Sequence, residues 1–228
     1  MGLSDRIDTG YPLDAGAYTP ARYNLIGASF VTINGTSSDL PHTGEYLQQL
    51  ASARGEVLVV DGLPGDLVSD FVTHCTTRRD IILGPNQPAG YKMDKAVLGL
   101  SGEQIQDSCD GGEYTTFPLM DQCFALMREY ATKAYALRPM PFRGRDVGYL
   151  RNNTCLDDDL ADLYIAEWDA HMLANNPDVG IIDCYYDWVD SKVEAPVYDP
   201  WGDWHLDTRS AYRAATRILE TLTMDNTP

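Results

Sequence analysis

The sequence predicts a three-layer α/β/α domain built on a sheet of five parallel strands. Three observations carry that prediction. From residue 23 onward, short apolar β-prone runs alternate with amphipathic helical stretches, the pattern of a doubly wound sheet. Several runs are apolar throughout, as strands covered on both faces are. Small-residue turns follow the runs, and right-handed crossovers gather such turns at one edge of the sheet, where α/β folds bind ligands.

The elements follow in order. Residues 1–22, rich in Gly, Pro, Asp and Tyr, read as an extended arm of the kind that docks on its own domain or on a neighbouring subunit. Residues 23–228 form one α/β domain. Its first strand is the run 24–31, turning at Gly27-Ala28-Ser29. A helix over 43–55 has Thr43 as its cap and Gly55 as its stop. Residues 56–60 are the second strand, followed by a turn with two glycines, 61–65, and a helix over 66–75 carrying Leu67, Val68, Phe71 and Val72. Residues 80–83 are taken as the third strand, ending in Gly84-Pro85-Asn86-Gln87. Residues 93–102 read as a short strand or a loop, and 107–116 as a loop. A helix over 117–136 places Met120, Phe124, Met127 and Ala131 on one face, as core filling. A fourth strand over 136–141, a helix over 156–175 and a fifth strand over 179–182 follow. An aromatic, acidic loop then leads through His205 into a last helix bearing Leu206, Ala211, Ala215, Ile218 and Leu222.

Composition narrows the partners. The chain has 228 residues, 44% hydrophobic and 22% charged, the size and make-up of one medium globular domain. A formal net charge of −17, with basic residues scattered, argues against nucleic acid and anionic membrane, which clustered Lys and Arg would bind. No apolar run approaches the ~18–20 residues of a membrane span, and no signal-peptide pattern opens the chain. The expected location is therefore cytoplasmic or within an assembly such as a virion. Five cysteines without a CxxC pair or interleaved His point to small buried thiols, with one or two disulfides open, and not to zinc.

Several residues fit chemistry and a plainer role alike. Asp157-Asp158-Asp159 lack the alternating spacing of a calcium loop and suit the positive end of a helix dipole. Glu167 and His171, four apart on a helix, match two metal ligands without a second pair, so a solvated helix-face pair is expected. Ser101 in Gly99-Leu100-Ser101-Gly102-Glu103 approaches the Gly-x-Ser-x-Gly elbow but lacks its last glycine. Tyr185, Tyr186, Trp188, Trp201 and Trp204 can stack on a sugar or pack a loop.

With these turns in order, the chain resembles the SGNH, or GDSL-type, hydrolases, from about residue 23 to 222. That family carries its nucleophile in a Gly-Asp-Ser turn after the first strand; here the turn is Gly27-Ala28-Ser29. Its oxyanion-hole glycine follows the second strand in a context similar to Asp61-Gly62-Leu63-Pro64-Gly65-Asp66, making Gly65 the candidate. Gly84-Pro85-Asn86-Gln87 resembles the Gly-x-Asn-Asp block, with Asn86 as the side-chain donor. His205 stands where the family's Asp-x-x-His histidine would be, before the final helix. Ala28 and Gln87 depart from the aspartates of the first and third blocks. Gly202 occupies the position of the family's acid, leaving Asp203, Asp199 or no acid at all.

The resemblance implies a flavodoxin-like SGNH fold. It also implies a serine esterase acting on an acyl or acetyl ester of a carbohydrate or small alcohol. Ser29, His205 and Asp203 would be catalytic, with Ser29, Gly65 and Asn86 around the oxyanion. Trp201 and Trp204 would contact substrate, and neither a metal nor an organic cofactor is required. The alternative is an SGNH-like domain without catalysis, serving as a binding or structural subunit of a larger assembly. A flavodoxin-like binder of a small anion is weaker, since no phosphate-type Gly-rich loop opens a helix.

Overall fold

The structure is a computed structural model that describes residues 21–28, 43–63, 66–99, 116–139, 158–184, 189–190, 195–196 and 208–224. Five parallel strands form the sheet: β1 Tyr23–Gly27, β2 Leu58–Asp61, β3 Met93–Gly99, β4 Ala131–Leu137 and β5 Gly180–Ile182, in the order β2-β1-β3-β4-β5. Helices α1 Thr43–Ala53, α2 Val68–Ile82, α3 Thr116–Tyr130, α4 Asp158–Asn175 and α5 Thr208–Met224 cover it. A small antiparallel pair, β6 Val189–Asp190 with β7 Ala195–Pro196, stands apart from the sheet.

The layering follows from handedness. The step from β1 to β2 runs one way across the sheet, and the steps to β3, β4 and β5 run the other way. Right-handed crossovers therefore put α1 on one face and α2, α3 and α4 on the other. The packing agrees: α1 lies against α5, and α2 lies against α3. The expected three-layer α/β/α architecture is present.

Two strands differ from expectation. Residues 80–83 are not a strand but belong to α2 and its cap, and β3 is Met93–Gly99. The inward residues of α2, Phe71, Cys75, Arg78 and Ile82, recur at helical spacing, but an arginine holds one core position. That charge interrupts the apolar stripe and leaves Ile81-Ile82-Leu83 looking like an isolated strand. β4 likewise begins at Ala131, inside the helix expected over 117–136. No glycine or proline separates Tyr130, the last residue of α3, from Ala131, and alanine favours helix locally. Thr43 is the first helical residue of α1 rather than its cap, and its buried hydroxyl has no hydrogen-bond partner among the described residues.

A polar network crosses the core beneath α2 and α3. Arg78 clasps Asp61 through Nε–Oδ2 at 2.7 Å and Nη2–Oδ1 at 2.6 Å, their side chains 0% and 5% exposed. Asn24 donates from Nδ2 to Asp61 Oδ2 at 2.8 Å, and the Tyr130 hydroxyl donates to Asn24 Oδ1 at 2.9 Å. β1, β2, α2 and α3 are thus joined by directional bonds as well as by apolar packing. Burial first, then Cys75 and Asp61 nearby, push the Tyr130 phenol well above the ordinary tyrosine value of about 10. Unfolded Tyr130 ionises near that pH while the folded residue stays neutral. Its contribution is complete below about pH 10 and is lost as pH rises toward the folded value. Urea midpoints should fall above pH 10, and Tyr130→Phe should show a shallower fall between pH 9 and 11.

Lys95 of β3 is buried and donates from Nζ to the Leu222 carbonyl in the last turn of α5. A cation there offsets the negative end of the helix dipole and satisfies a carbonyl that the helix itself leaves open. Lys95→Met should destabilise the fold by about 1–3 kcal/mol, read in urea midpoints. Amide exchange at the end of α5 should accelerate with it.

Candidate active site

Strand order reverses between β1 and β3, and ligands of open α/β sheets bind at the carboxyl ends of strands flanking such a reversal. The two strands end level, with Gly27 paired to Gly99. Ala28 follows Gly27 and is fully buried, and Ser29 is the next residue in the chain. Ser29 itself lies outside the described residues, as do Gly65, Ser101, Trp201, Asp203, Trp204 and His205, together with Asp199 and the aromatic residues Tyr185, Tyr186 and Trp188.

Asn86 is described, and it sits at the wrong end of the sheet. It follows α2 in an exposed turn closed by Gln87 N–H to the Gly84 carbonyl at 3.2 Å. The chain then enters β3 at its amino end. There Tyr91 donates its hydroxyl to the Ala21 carbonyl, and Asp94 N–H bonds the Arg22 carbonyl at 2.9 Å. The length of β3, seven residues or about 20 Å, separates this turn from the carboxyl edge. Asn86 is therefore withdrawn from the oxyanion role. The chain after β3 reads Leu100-Ser101-Gly102-Glu103, so no asparagine stands directly beyond Gly99.

The turn after β2 is partly described. Gly62 adopts φ 132°, a backbone region that glycine enters without strain. Leu63 N–H donates to Asp66 Oδ2 at 2.6 Å, and Asp66 N–H returns to the Leu63 carbonyl at 3.1 Å. His74 Nε2 lies 2.7 Å from the same Asp66 oxygen, with side chains 6% and 14% exposed. Leu67 offers no capping oxygen to α2, and Asp70 supplies one by accepting the Leu67 N–H at 2.9 Å. The Asp66–His74 contact was not legible in the sequence as a pair. Eight residues separate them, and only the reach from turn to helix brings them together.

The far side of the same edge is braced by Arg138, just after β4. Its N–H bonds the Ile182 carbonyl at 3.0 Å. Its guanidinium meets Asp169 of α4 at 2.6 Å and Asp183 beyond β5 at 3.3 Å. The hydrogen bond to Asp169 is the leading cause that raises the Arg138 pKa further, so the cation is permanent here.

Glu167 and His171 do not form the solvated pair expected. His171 Nε2 reaches Asp121 Oδ1 on α3 at 2.9 Å, and its ring stacks on Phe117 at 4.5 Å, so the histidine fastens α4 to α3. Among the described residues no three His, Cys, Asp or Glu side chains converge as metal ligands would. Cys75, Cys123 and Cys184 are buried free thiols. None of the described helices is long and apolar enough to cross a membrane.

Comparison with solved structures decides the fold. An acetylxylan esterase from Geobacillus stearothermophilus superposes with a TM-score of 0.59 over 88% of this chain and 93% of its own, at 14% identity. The fold is that of the SGNH hydrolases. A protein from Slackia heliotrinireducens described as an SGNH hydrolase gives 0.60 over 90% of this chain and all of its own, at 13% identity. A GDSL-like lipase from Bacteroides thetaiotaomicron gives 0.58 over 90% and 89%, at 12% identity. Neither a family model nor a curated protein matches the sequence.

Proposed function

We propose that this protein is a serine esterase of SGNH type that removes an acyl or acetyl group from a carbohydrate or small alcohol. The observation that carries the proposal is the position of Gly27 and Ala28. They lie at the carboxyl edge, beside the point where strand order reverses, and Ser29 is the next residue in the sequence. The acetylxylan esterase and the GDSL-like lipase that share the fold support an ester as the substrate class.

In this reading Ser29 Oγ attacks the ester carbonyl carbon while His205 takes its proton. Asp203 holds the imidazole in the tautomer that accepts that proton and stabilises the imidazolium that results. The oxyanion is met by the N–H groups of Ser29 and Gly65. With Asn86 withdrawn, Ser101 is the first residue after β3 with a side-chain donor, and we assign it the third contact. The alcohol leaves with the proton from His205. Water, deprotonated by the same histidine, then releases the acid from Ser29. Trp201 and Trp204 are assigned to contact the substrate.

One observation favours a non-catalytic binding or structural subunit instead: Asn86, the asparagine that the resemblance offers as donor, lies before the amino end of β3 and not at the carboxyl edge. Hydrolysis of p-nitrophenyl acetate and butyrate by wild type, Ser29→Ala and His205→Ala separates the two readings. Activity that disappears in both variants, with circular dichroism unchanged, supports the esterase. Equal rates in all three proteins support the subunit.

A further inference from the structure

We propose that Asp66 and His74 form a positioning pair that fixes Leu63 and Asp66, the two ends of the turn after β2. One oxygen of the Asp66 carboxylate receives two donors, Leu63 N–H at 2.6 Å and His74 Nε2 at 2.7 Å. A carboxylate oxygen only accepts, so His74 carries its proton on Nε2 in this contact. The Asp66 N–H closes the same turn by bonding the Leu63 carbonyl at 3.1 Å. The two residues enclosed by that bond are Pro64 and Gly65. His74 is buried on α2, a helix held to the sheet by Arg78 and Asp61 one turn further on. The turn is thereby referred to the rigid body of the fold rather than to solvent.

Such a pair resembles a catalytic dyad in residue type and distance, but its direction is different. The carboxylate faces backbone N–H and imidazole together, both within the turn-to-helix contact. Its role is to hold the two ends of the turn in place, and an oxyanion hole built on such a turn depends on that, because its donors act only when preorganised. Oxyanion stabilisation by Gly65 belongs to the esterase reading, on which the functional half of this assignment rests.

The test contrasts His74→Gln, which keeps an N–H donor at similar reach, with His74→Met, which has similar length and no donor. Asp66→Ala removes the acceptor and sets the limit of an unprotected Leu63 amide. Exchange of that amide, followed by NMR, should accelerate about tenfold or more in His74→Met and stay within about twofold of wild type in His74→Gln. The kcat for p-nitrophenyl acetate should fall roughly 10–100-fold in His74→Met with KM little changed, and recover in His74→Gln. Wild-type exchange and kcat in His74→Met would overturn the proposal, and so would equal losses in both variants. Should the wild type prove inactive, the esterase reading fails and the exchange arm alone decides the clamp. Faster exchange in His74→Met restored by glutamine then sustains it, and unchanged protection sinks it.

Discussion

Arg78→Met is expected to destabilise the protein by about 3–5 kcal/mol, the usual consequence of removing one partner from a buried ion pair. For a chain of this size that is a fall in melting temperature of roughly 6–20 °C. The cause is what remains behind. Asp61 is 5% exposed and keeps only the Asn24 amide from the polar network described, far less than an ionised carboxylate requires out of water. The substitution itself retains an unbranched chain of similar length, so little of the loss comes from volume. Adding Asp61→Asn removes the stranded charge while still accepting from Asn24. The double variant should therefore recover more than half of the loss, measured by urea titration of all four proteins. A double variant that is simply the sum of two losses would mean the pair is not coupled.

The same pair explains what the sequence could and could not disclose. β1, β2, α1 and α5 were legible because each obeys one rule without interruption. Leu58, Val59 and Val60 are a continuous apolar run, and Gly55 stops α1 at φ 71° as its position predicts. α2 was cut short because Arg78 occupies a core position. Only Asp61, seventeen residues away, makes a buried arginine intelligible. Cutting α2 short created a false third strand, and the false strand carried Asn86 to the wrong edge. One buried charge thus displaced one element, one block of the site and one assigned donor. β3 was left ambiguous for a related reason. Lys95 sits inside it, and its partner is a helix carbonyl 127 residues further along the chain. Polar residues in the core are chosen for distant partners, so local pattern cannot account for them.

Ser29→Ala should abolish ester hydrolysis, with a fall in kcat of about 10³-fold or more if Ser29 is the nucleophile. His205→Ala should cost a similar factor. Their combination should cost hardly more than either alone, because a nucleophile and its base act as one unit. That non-additivity distinguishes a serine–histidine mechanism from two independent structural losses, whose effects on rate would multiply. Asp203→Asn addresses the least settled position, since Asp203 stands two residues before the histidine where the family's acid stands three before it. If Asp203 orients the imidazole, its amide favours the wrong tautomer, and kcat falls by orders of magnitude. If Asp199 is the acid, Asp203→Asn retains activity and Asp199→Asn loses it. If neither matters, His205 works without a carboxylate and both aspartate variants keep the wild-type rate. The rates of the two aspartate variants beside wild type therefore assign the acid directly, whichever of the three arrangements this chain uses.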